Sequence, residues 1–300
     1  MKHILLTGGT GFIGKELRRL LLQEGHYLTI VTRRPNKYED EKAKNQQFIA
    51  WDGDLVSAMN VADIVIHLAG ENVFSQRWSE EVKKKIYNSR IEGTRALVDA
   101  MREAKSKPEL FISASASGYY GDGGDSIKTE NDPAADDFLA KVCVDWEAEA
   151  QKATELGVRV VNPRIGIVLE KDGGAMEKMI PPFQFFVGGP VGDGKQYMSW
   201  IHREDLINAL LFPIQNETIE GAYNVCAPEP VTMNLFADVL GDVMNRPVLF
   251  RVPKIALQVM YGEGAKPILD SIRMKPKVLQ EQGFDFRFDD LEEALADILN

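Results

Sequence analysis

The segment Thr7-Gly8-Gly9-Thr10-Gly11-Phe12-Ile13-Gly14 directly follows the apolar run Ile4-Leu5-Leu6, and that adjacency constrains the chain more than any other feature. Glycines 9, 11 and 14 fit GxGxxG, and glycines 8, 11 and 14 fit the variant GxxGxxG. In such a strand-to-helix turn one glycine permits the tight turn, one lets backbone N–H groups approach a pyrophosphate, and one lets the helix pack close on the strand. Residues Ile13 to Gln23 supply the helix, with Leu17, Leu20 and Leu21 at helical spacing, and its positive end faces the phosphates. Strand, glycine turn and amphipathic helix together predict dinucleotide binding, with Gly8, Gly9, Thr10, Gly11, Phe12, Ile13 and Gly14 as contacts.

The rest of the first half repeats the same alternation. Leu28 to Thr32, Gln47 to Ala50, Ile64 to Leu68, Leu110 to Ile112 and Val158 to Val161 read as strands. Between them fall a long helix from an N-cap at Ser79 through Met101, with Glu80 and Glu81 in its first turn, and a second from Phe138 to Thr154. Strands alternating with helices predict an α/β Rossmann fold, a doubly wound parallel sheet, over residues 1–165. Beyond 165, clusters at Gly173-Gly174, Pro181-Pro182 and Gly188-Gly189-Pro190 break the periodicity. Residues 166–300 are therefore read mostly as a smaller, loop-rich substrate-side lobe, with some segments returning to the core and helices at Leu235 to Met244 and Leu291 to Leu299.

The end of the second strand separates NAD from NADP. About 20 residues after the glycine turn an NAD site offers a carboxylate to the ribose 2′-hydroxyl. This chain offers Thr32-Arg33-Arg34 instead. Two guanidiniums and a hydroxyl suit a 2′-phosphate, gripped by charge-assisted hydrogen bonds, so NADP(H) is the expected cofactor. The competing reading is a solvated basic turn before Pro35.

Bulk composition narrows the partners. A net charge of −10 leaves no excess of Lys and Arg for nucleic acid or an anionic membrane. Cys143 and Cys226 stand far apart with no CxxC or His-rich spacing, so two buried thiols are expected and no metal site. No stretch reaches the roughly 18 apolar residues of a membrane span, and a cytoplasmic location is the default expectation.

These residues resemble the short-chain dehydrogenase/reductase superfamily, in its extended, epimerase/dehydratase-like branch. His67-Leu68-Ala69-Gly70 resembles the strand-four segment that lies against the cofactor, and Ser113-Ala114-Ser115-Ala116 with Tyr120-Gly121 resembles the strand-five segment that carries the active-site Ser. Asn162-Pro163-Arg164 and Trp200-Ile201-His202-Arg203-Glu204-Asp205 resemble two later landmarks. The superfamily's Tyr-x-x-x-Lys falls between Phe138 and Glu147, and here the segment contains no Tyr: Leu139 and Cys143 stand in the two places when Glu147 is aligned with the acidic residue that follows the motif. With the GENVFSQRW segment at 70–78, the Trp146-Glu147 pair and the run Pro228-Glu229-Pro230-Val231-Thr232, the chain is similar to an atypical family of NAD(P)-dependent epimerase-like proteins with a family-specific C-terminal module, expected near 245–300. The resemblance implies cofactor contacts at Thr32, Arg33, Leu68, Ala69, Arg90 and Arg164; Arg34, Gly70 and Glu71 are added as their neighbours. For Arg90 an exposed helical salt bridge is the alternative. A homodimer through the long helices is implied only by analogy with related enzymes.

Chemistry beyond the cofactor needs a positioned proton. The usual pair works because the Lys and ribose lower the Tyr pKa, which Leu139 and Cys143 cannot do. Ser115 is a candidate to bind a substrate carbonyl, against simple strand-end capping. Tyr119 and Tyr120 are candidate acids, against packing roles. Lys141 reads as a solvated helix lysine, His202 as a hydrogen-bonded structural residue, and Asp136-Asp137 and Asp289-Asp290 as helix N-terminal charges. Two functions follow: an NADP(H)-dependent epimerase or oxidoreductase acting on a small polar carbonyl or nucleotide-linked substrate, or a non-catalytic NADP(H)-binding regulatory or redox-sensing protein.

Overall fold

The computed structural model describes residues 1–74 and 76–299. Its main sheet contains β1 (His3–Thr7), β2 (Tyr27–Thr32), β3 (Gln46–Ala50), β4 (Ile64–His67), β5 (Leu110–Ser113), β6 (Arg159–Ile165) and β7 (Gly221–Val225), all parallel. The order across the sheet is β7–β6–β5–β4–β1–β2–β3, with the short strand Ser115–Ala116 added beside the end of β6. The order reverses between β1 and β4, which opens a crevice at their carboxyl ends, where doubly wound sheets take ligands.

Strand alternation builds the two halves of the core. The flanking helices are α1 (Phe12–Gln23), α2 (Glu80–Glu103), α3 (Phe138–Gln151) and α4 (Arg203–Gln215). Ile4, Leu6, Ile30, Ile64 and Ile66 face Leu17 and Leu21 of α1 and Leu206 and Leu210 of α4. Leu5, Val31, Val65 and Phe111 face Leu97, Val98 and Met101 of α2 and Ala150 of α3. Each of these side chains is buried, and each of those larger than alanine contributes about 1.5–3 kcal/mol by leaving water. Ser79 caps α2 by accepting from the Val82 N–H, as its sequence position predicts.

A second cluster forms a separate core under α5 (Met233–Met244) and α7 (Leu291–Leu299), where Trp200, Phe236, Leu240, Leu291 and Leu295 pack together. Between them runs α6 (Lys254–Tyr261), which buries none of its residues. The apolar run predicts a sixth strand that ends at Val161. The strand runs on to Ile165, because buried Asn162 satisfies its amide with Ser113 O at 3.0 Å and Gln151 at 2.8 Å. Pro181 and Pro182 were read as breakers, yet they lie within the helix Met176–Gln184, anchored by buried Met176, Ile180 and Phe183. Two further elements carried no readable period: α4, whose sides are apolar almost all round, and β7, which returns residues 221–225 to the sheet. Among the described residues no helix is long and apolar enough to cross a membrane.

Candidate functional site

The glycine turn forms a cradle at the crevice. Gly8 sits at φ +73°, and a Cβ there would lie 2.7 Å from the Leu68 carbonyl carbon. A Cβ on Gly14 would come within 2.2 Å of the Gly8 carbonyl oxygen, so the close approach of α1 to the turn admits only hydrogen at that position. Gly11 is the N-cap of α1 and supplies no side-chain hydrogen bond, and the first turn of α1 carries no acidic residue. The N–H groups at the start of α1 have no intrahelical acceptor, so they and the positive end of the helix are directed at the crevice. Phe12 lies under a loop of the second lobe, where a Cβ on Gly173 would touch its ring at 2.3 Å. Ile13 packs on the first core cluster.

The β2 and β4 ends complete this cradle. Thr32 is buried, with its Oγ1 3.5 Å from the Arg34 N–H, while Arg33 and Arg34 are exposed. The Arg33 side chain is 84% exposed, and its guanidinium lies 3.8 Å from the Glu71 carboxylate. Ala69 N–H donates to Thr7 Oγ1 at 3.3 Å, which ties the β4 exit to β1. Thr7 Oγ1 also meets the buried His67 Nδ1 at 2.6 Å. Burial, and then the nearby Arg90 charge, bring the His67 pKa down to about 3, so the imidazole is neutral.

Arg90 is no exposed helical salt bridge. Its Nη1 donates to Glu71 O at 3.1 Å and Ile86 O at 3.0 Å, its guanidinium lies over the Trp146 ring at 5.2 Å, and a Cβ on Gly70 would sit 3.1 Å from its Cζ. Burial lowers its pKa. The glycine turn, Thr32 to Arg34, Leu68 to Glu71 and Arg90 thus share one crevice. A pyrophosphate at α1 and a phosphorylated ribose beside Arg33 fit these residues.

Arg164 belongs to a different cluster, deeper between β6 and α3. Its Nε and Nη2 make a two-pronged bond to Glu147, both at 2.9 Å, and its Nη1 donates to the Tyr120 hydroxyl at 2.9 Å. The guanidinium lies 3.4 Å from the centre of the Tyr119 ring. Burial acts to lower the Arg164 pKa, but the bonds and charge of Glu147 outweigh it and hold the group above its ordinary value. Glu147 also accepts from Ser115 Oγ at 2.6 Å. Ser115 therefore does not cap its strand end: its hydroxyl is directed at Glu147. Tyr120 is buried and donates to Asn224 Oδ1 at 2.7 Å, and burial pushes its pKa up to about 12. Tyr119 is partly exposed.

Neither Leu139 nor Cys143, the positions expected to stand in for the Tyr and Lys, offers a charged side chain. Leu139 packs against Gly118. Cys143 is buried near Ala116 O, and burial, reinforced by Glu147, raises its thiol to about 11. Cys226 is likewise buried and free. Lys141 is exposed and pairs with Asp145. His202 caps α4 by accepting from the Glu204 N–H at 3.1 Å and packs on Phe288, which is a structural role. Asp137 and Asp290 cap the starts of α3 and α7. Among the described residues no group of three His, Cys, Asp or Glu side chains is placed to hold a metal. Neither the bond of Glu147 to Ser115 nor the place of Asn224 carries a local sequence signal, since each acts through partners distant along the chain.

Residues 4–226 match the model of the NAD dependent epimerase/dehydratase family. The chain belongs to that family. Residues 252–298 match a domain of unknown function, DUF1731. The epimerase family protein SDR39U1 homolog, chloroplastic, of Arabidopsis thaliana is 39% identical over 99% of this chain and 86% of its own length. The human epimerase family protein SDR39U1 (isoform 2), whose crystal structure was solved with NADPH, is 31% identical, with a TM-score of 0.89 over 99% of this chain and 98% of that one. A nucleoside-diphosphate sugar epimerase of Corynebacterium glutamicum is 32% identical, with a TM-score of 0.77 over 99% of this chain and 58% of that one.

Proposed function

We propose that this family member is an NADP(H)-dependent epimerase or oxidoreductase acting on a small polar, carbonyl-bearing or nucleotide-linked substrate beside Ser115. The observation that carries the cofactor half is the exposed Arg33 guanidinium beside an uncapped α1 and a cradle closed to any Cβ at Gly8 and Gly14. The human relative solved with NADPH supports the same choice. The name of the Corynebacterium relative supports a nucleotide-linked substrate. When bound, the nicotinamide supplies or takes the hydride. In this reading the glycine turn and α1 hold the pyrophosphate, Thr32, Arg33 and Arg34 hold the 2′-phosphate, and Leu68 to Glu71 with Arg90 form the wall beside the ribose. Ser115 meets the reacting oxygen, Glu147 and Arg164 hold Ser115 in place, and Tyr119 faces the cleft. The amino-terminal 165 residues carry the cofactor and most of the remainder frames the substrate.

One observation favours a second reading, a cofactor-binding regulatory protein without turnover. Leu139 and Cys143 replace the usual acid and its lysine, and the Cys143 thiol is buried. Stopped-flow assay of the NADPH-loaded protein against a panel of sugar and small-molecule carbonyls separates the two. The enzyme reading requires turnover that falls in Ser115→Ala; tight NADPH binding with no turnover on any panel member selects the regulatory one.

A further inference from the structure

We infer that the second lobe docks on a second copy of this chain through an apolar face built by residues 185–187 and 249–260. The inference stands apart from the reaction proposed above.

Eight of the fourteen large apolar side chains exposed among the described residues lie in these two segments. Phe185 to Val187 follow the helix Met176–Gln184, and Leu249 and Phe250 precede α6, whose outer side carries Ile255, Val259 and Met260. Phe185, Leu249 and Ile255 stand out furthest, at 76%, 75% and 71% exposure. The segments run side by side. Val191 bridges Val252 in parallel, Val252 N–H donates to Pro190 O at 2.9 Å, and a Cβ on Gly189 would collide with the Phe250 carbonyl oxygen. The Arg246 guanidinium lies 4.5 Å from the centre of the Phe186 ring, and a Cβ on Gly192 would sit 2.8 Å from the Lys254 side chain at the start of α6. The exposed side chains therefore form one face and are not scattered.

This face has the character of an interior. Six of the eight residues of α6 are apolar, and a helix apolar all round is ordinarily covered, yet α6 buries none. Phe186 holds φ at +63°, a strained conformation for a bulky residue, and keeps its side chain half in solvent. At about 150–250 Å² for an aromatic side chain and somewhat less for an aliphatic one, the eight present on the order of 700 Å² of apolar surface. The largest patch on a typical monomer is about 300–600 Å². A standard interface takes about 800 Å² from each partner, of which about 60% is apolar. The face is large enough to supply that apolar part.

The surrounding charges select the partner. An anionic membrane requires an excess of Lys and Arg, and here the signs are mixed. Asp238 and Asp242 on the exposed side of α5 stand beside Arg246 and Arg251, and Lys254 lies 4.0 Å from Asp193. Arg246 and Arg251 donate to the main-chain carbonyls of Asn245 and Gly192; among the described residues neither has an ion-pair partner, nor have Asp238 and Asp242. A face carrying both signs unpaired complements itself, because a twofold axis can set the acids of one copy against the bases of the other. A hollow of about 320 Å³, lined by Asp238, Leu249, Phe250 and Arg251, can receive side chains that the other copy projects. The long helices offer far less: among the described residues α2 exposes no large apolar side chain and α3 exposes Val144.

Sedimentation velocity of the full-length protein, from nanomolar to high micromolar concentration, tests this. A monomer–dimer equilibrium is expected, with the dissociation constant raised at least about tenfold by Leu249→Asp and by Val259→Asp and unchanged by Val144→Asp. Circular dichroism and NADPH titration should show all three variants folded, since each position is exposed. Two charge variants test the self-complementarity. Asp238→Lys with Asp242→Lys, and Arg246→Glu with Arg251→Glu, should each dissociate alone and associate with one another when mixed. A protein monomeric at high micromolar concentration, a dimer lost in Val144→Asp but kept in Leu249→Asp and Val259→Asp, a mixture of the charge variants that does not associate, or a monomer that floats with phosphatidylglycerol vesicles overturns the assignment.

Discussion

Removal of the Arg33 guanidinium tests the cofactor choice where it is most exposed to failure. The side chain is 84% solvent-exposed and its charged neighbour is Glu71, 3.8 Å away, so the group is available to a ligand at little structural cost. A charge-assisted bond to phosphate is worth about 1.5–3 kcal/mol in a sheltered site, and exposure discounts it toward the lower end. Arg33→Ala is therefore expected to weaken NADPH by about tenfold, or about 1.4 kcal/mol, and to leave NADH within about twofold. Glu71→Gln removes the carboxylate that competes for the same guanidinium, and NADPH should then bind more tightly while NADH does not change. Because the screening length falls from about 10 Å at 0.1 M salt to about 3 Å at 1 M, the Arg33 effect should shrink with added salt. Isothermal titration of both nucleotides with the three proteins at two salt concentrations measures all of this. Equal loss of NADPH and NADH affinity would place Arg33 on a part common to both nucleotides, and no loss of either would return it to a solvated turn; both results refute the argument.

Three further outcomes follow from the geometry. Gly14→Ala places a methyl 2.2 Å from the Gly8 carbonyl oxygen, so the turn must move; NADPH affinity should fall by at least about a hundredfold in the same titration while far-UV circular dichroism is retained. The His67 pKa of about 3 in the folded protein lies below that of the unfolded chain, so on acidification the unfolded state takes the proton first. This contribution to stability is complete above about pH 6.5 and is lost as pH falls toward 3, at up to about 1.4 kcal/mol per unit, and urea unfolding of His67→Asn should show a flatter profile across that window. Cys143, with a thiol near 11, and the fully buried Cys226 should resist a thiol reagent at pH 8 in the native state and both react in urea; rapid labelling of Cys143 in the folded protein would contradict its burial.

The elements that sequence resolves are those whose signal is local. Gly8 to Gly14 lies within one turn, the α2 cap is a Ser three residues from its donor, and the sheet strands announce themselves by apolar runs. Arg90 is ambiguous in the sequence because a helical position says nothing of what lies across from it; the carbonyl of Glu71 and the ring of Trp146 decide its environment, and both come from outside its helix. The Ser115 cluster is less legible still. Its bonds join residues 32, 17, 44 and 104 positions apart, so no window along the chain contains two consecutive partners and their donor–acceptor relation together. The helix Met176–Gln184 escaped for the opposite reason: its prolines are a local signal against helix, outweighed by the burial of Met176, Ile180 and Phe183.

Cys143 and the Glu147 network have a common electrostatic logic. A lysine at the position of Cys143 would bring a second cation close to Arg90. Here that position is a neutral thiol, and the carboxylate of Glu147, one helical turn further on, balances Arg164 instead. A cation-assisted phenol donates a proton outward. Ser115, buried beside this pair, directs its hydroxyl proton at the guanidinium-clamped carboxylate. Of the two tyrosines in the cluster, Tyr119 is partly exposed and stacked on Arg164, whereas Tyr120 is buried.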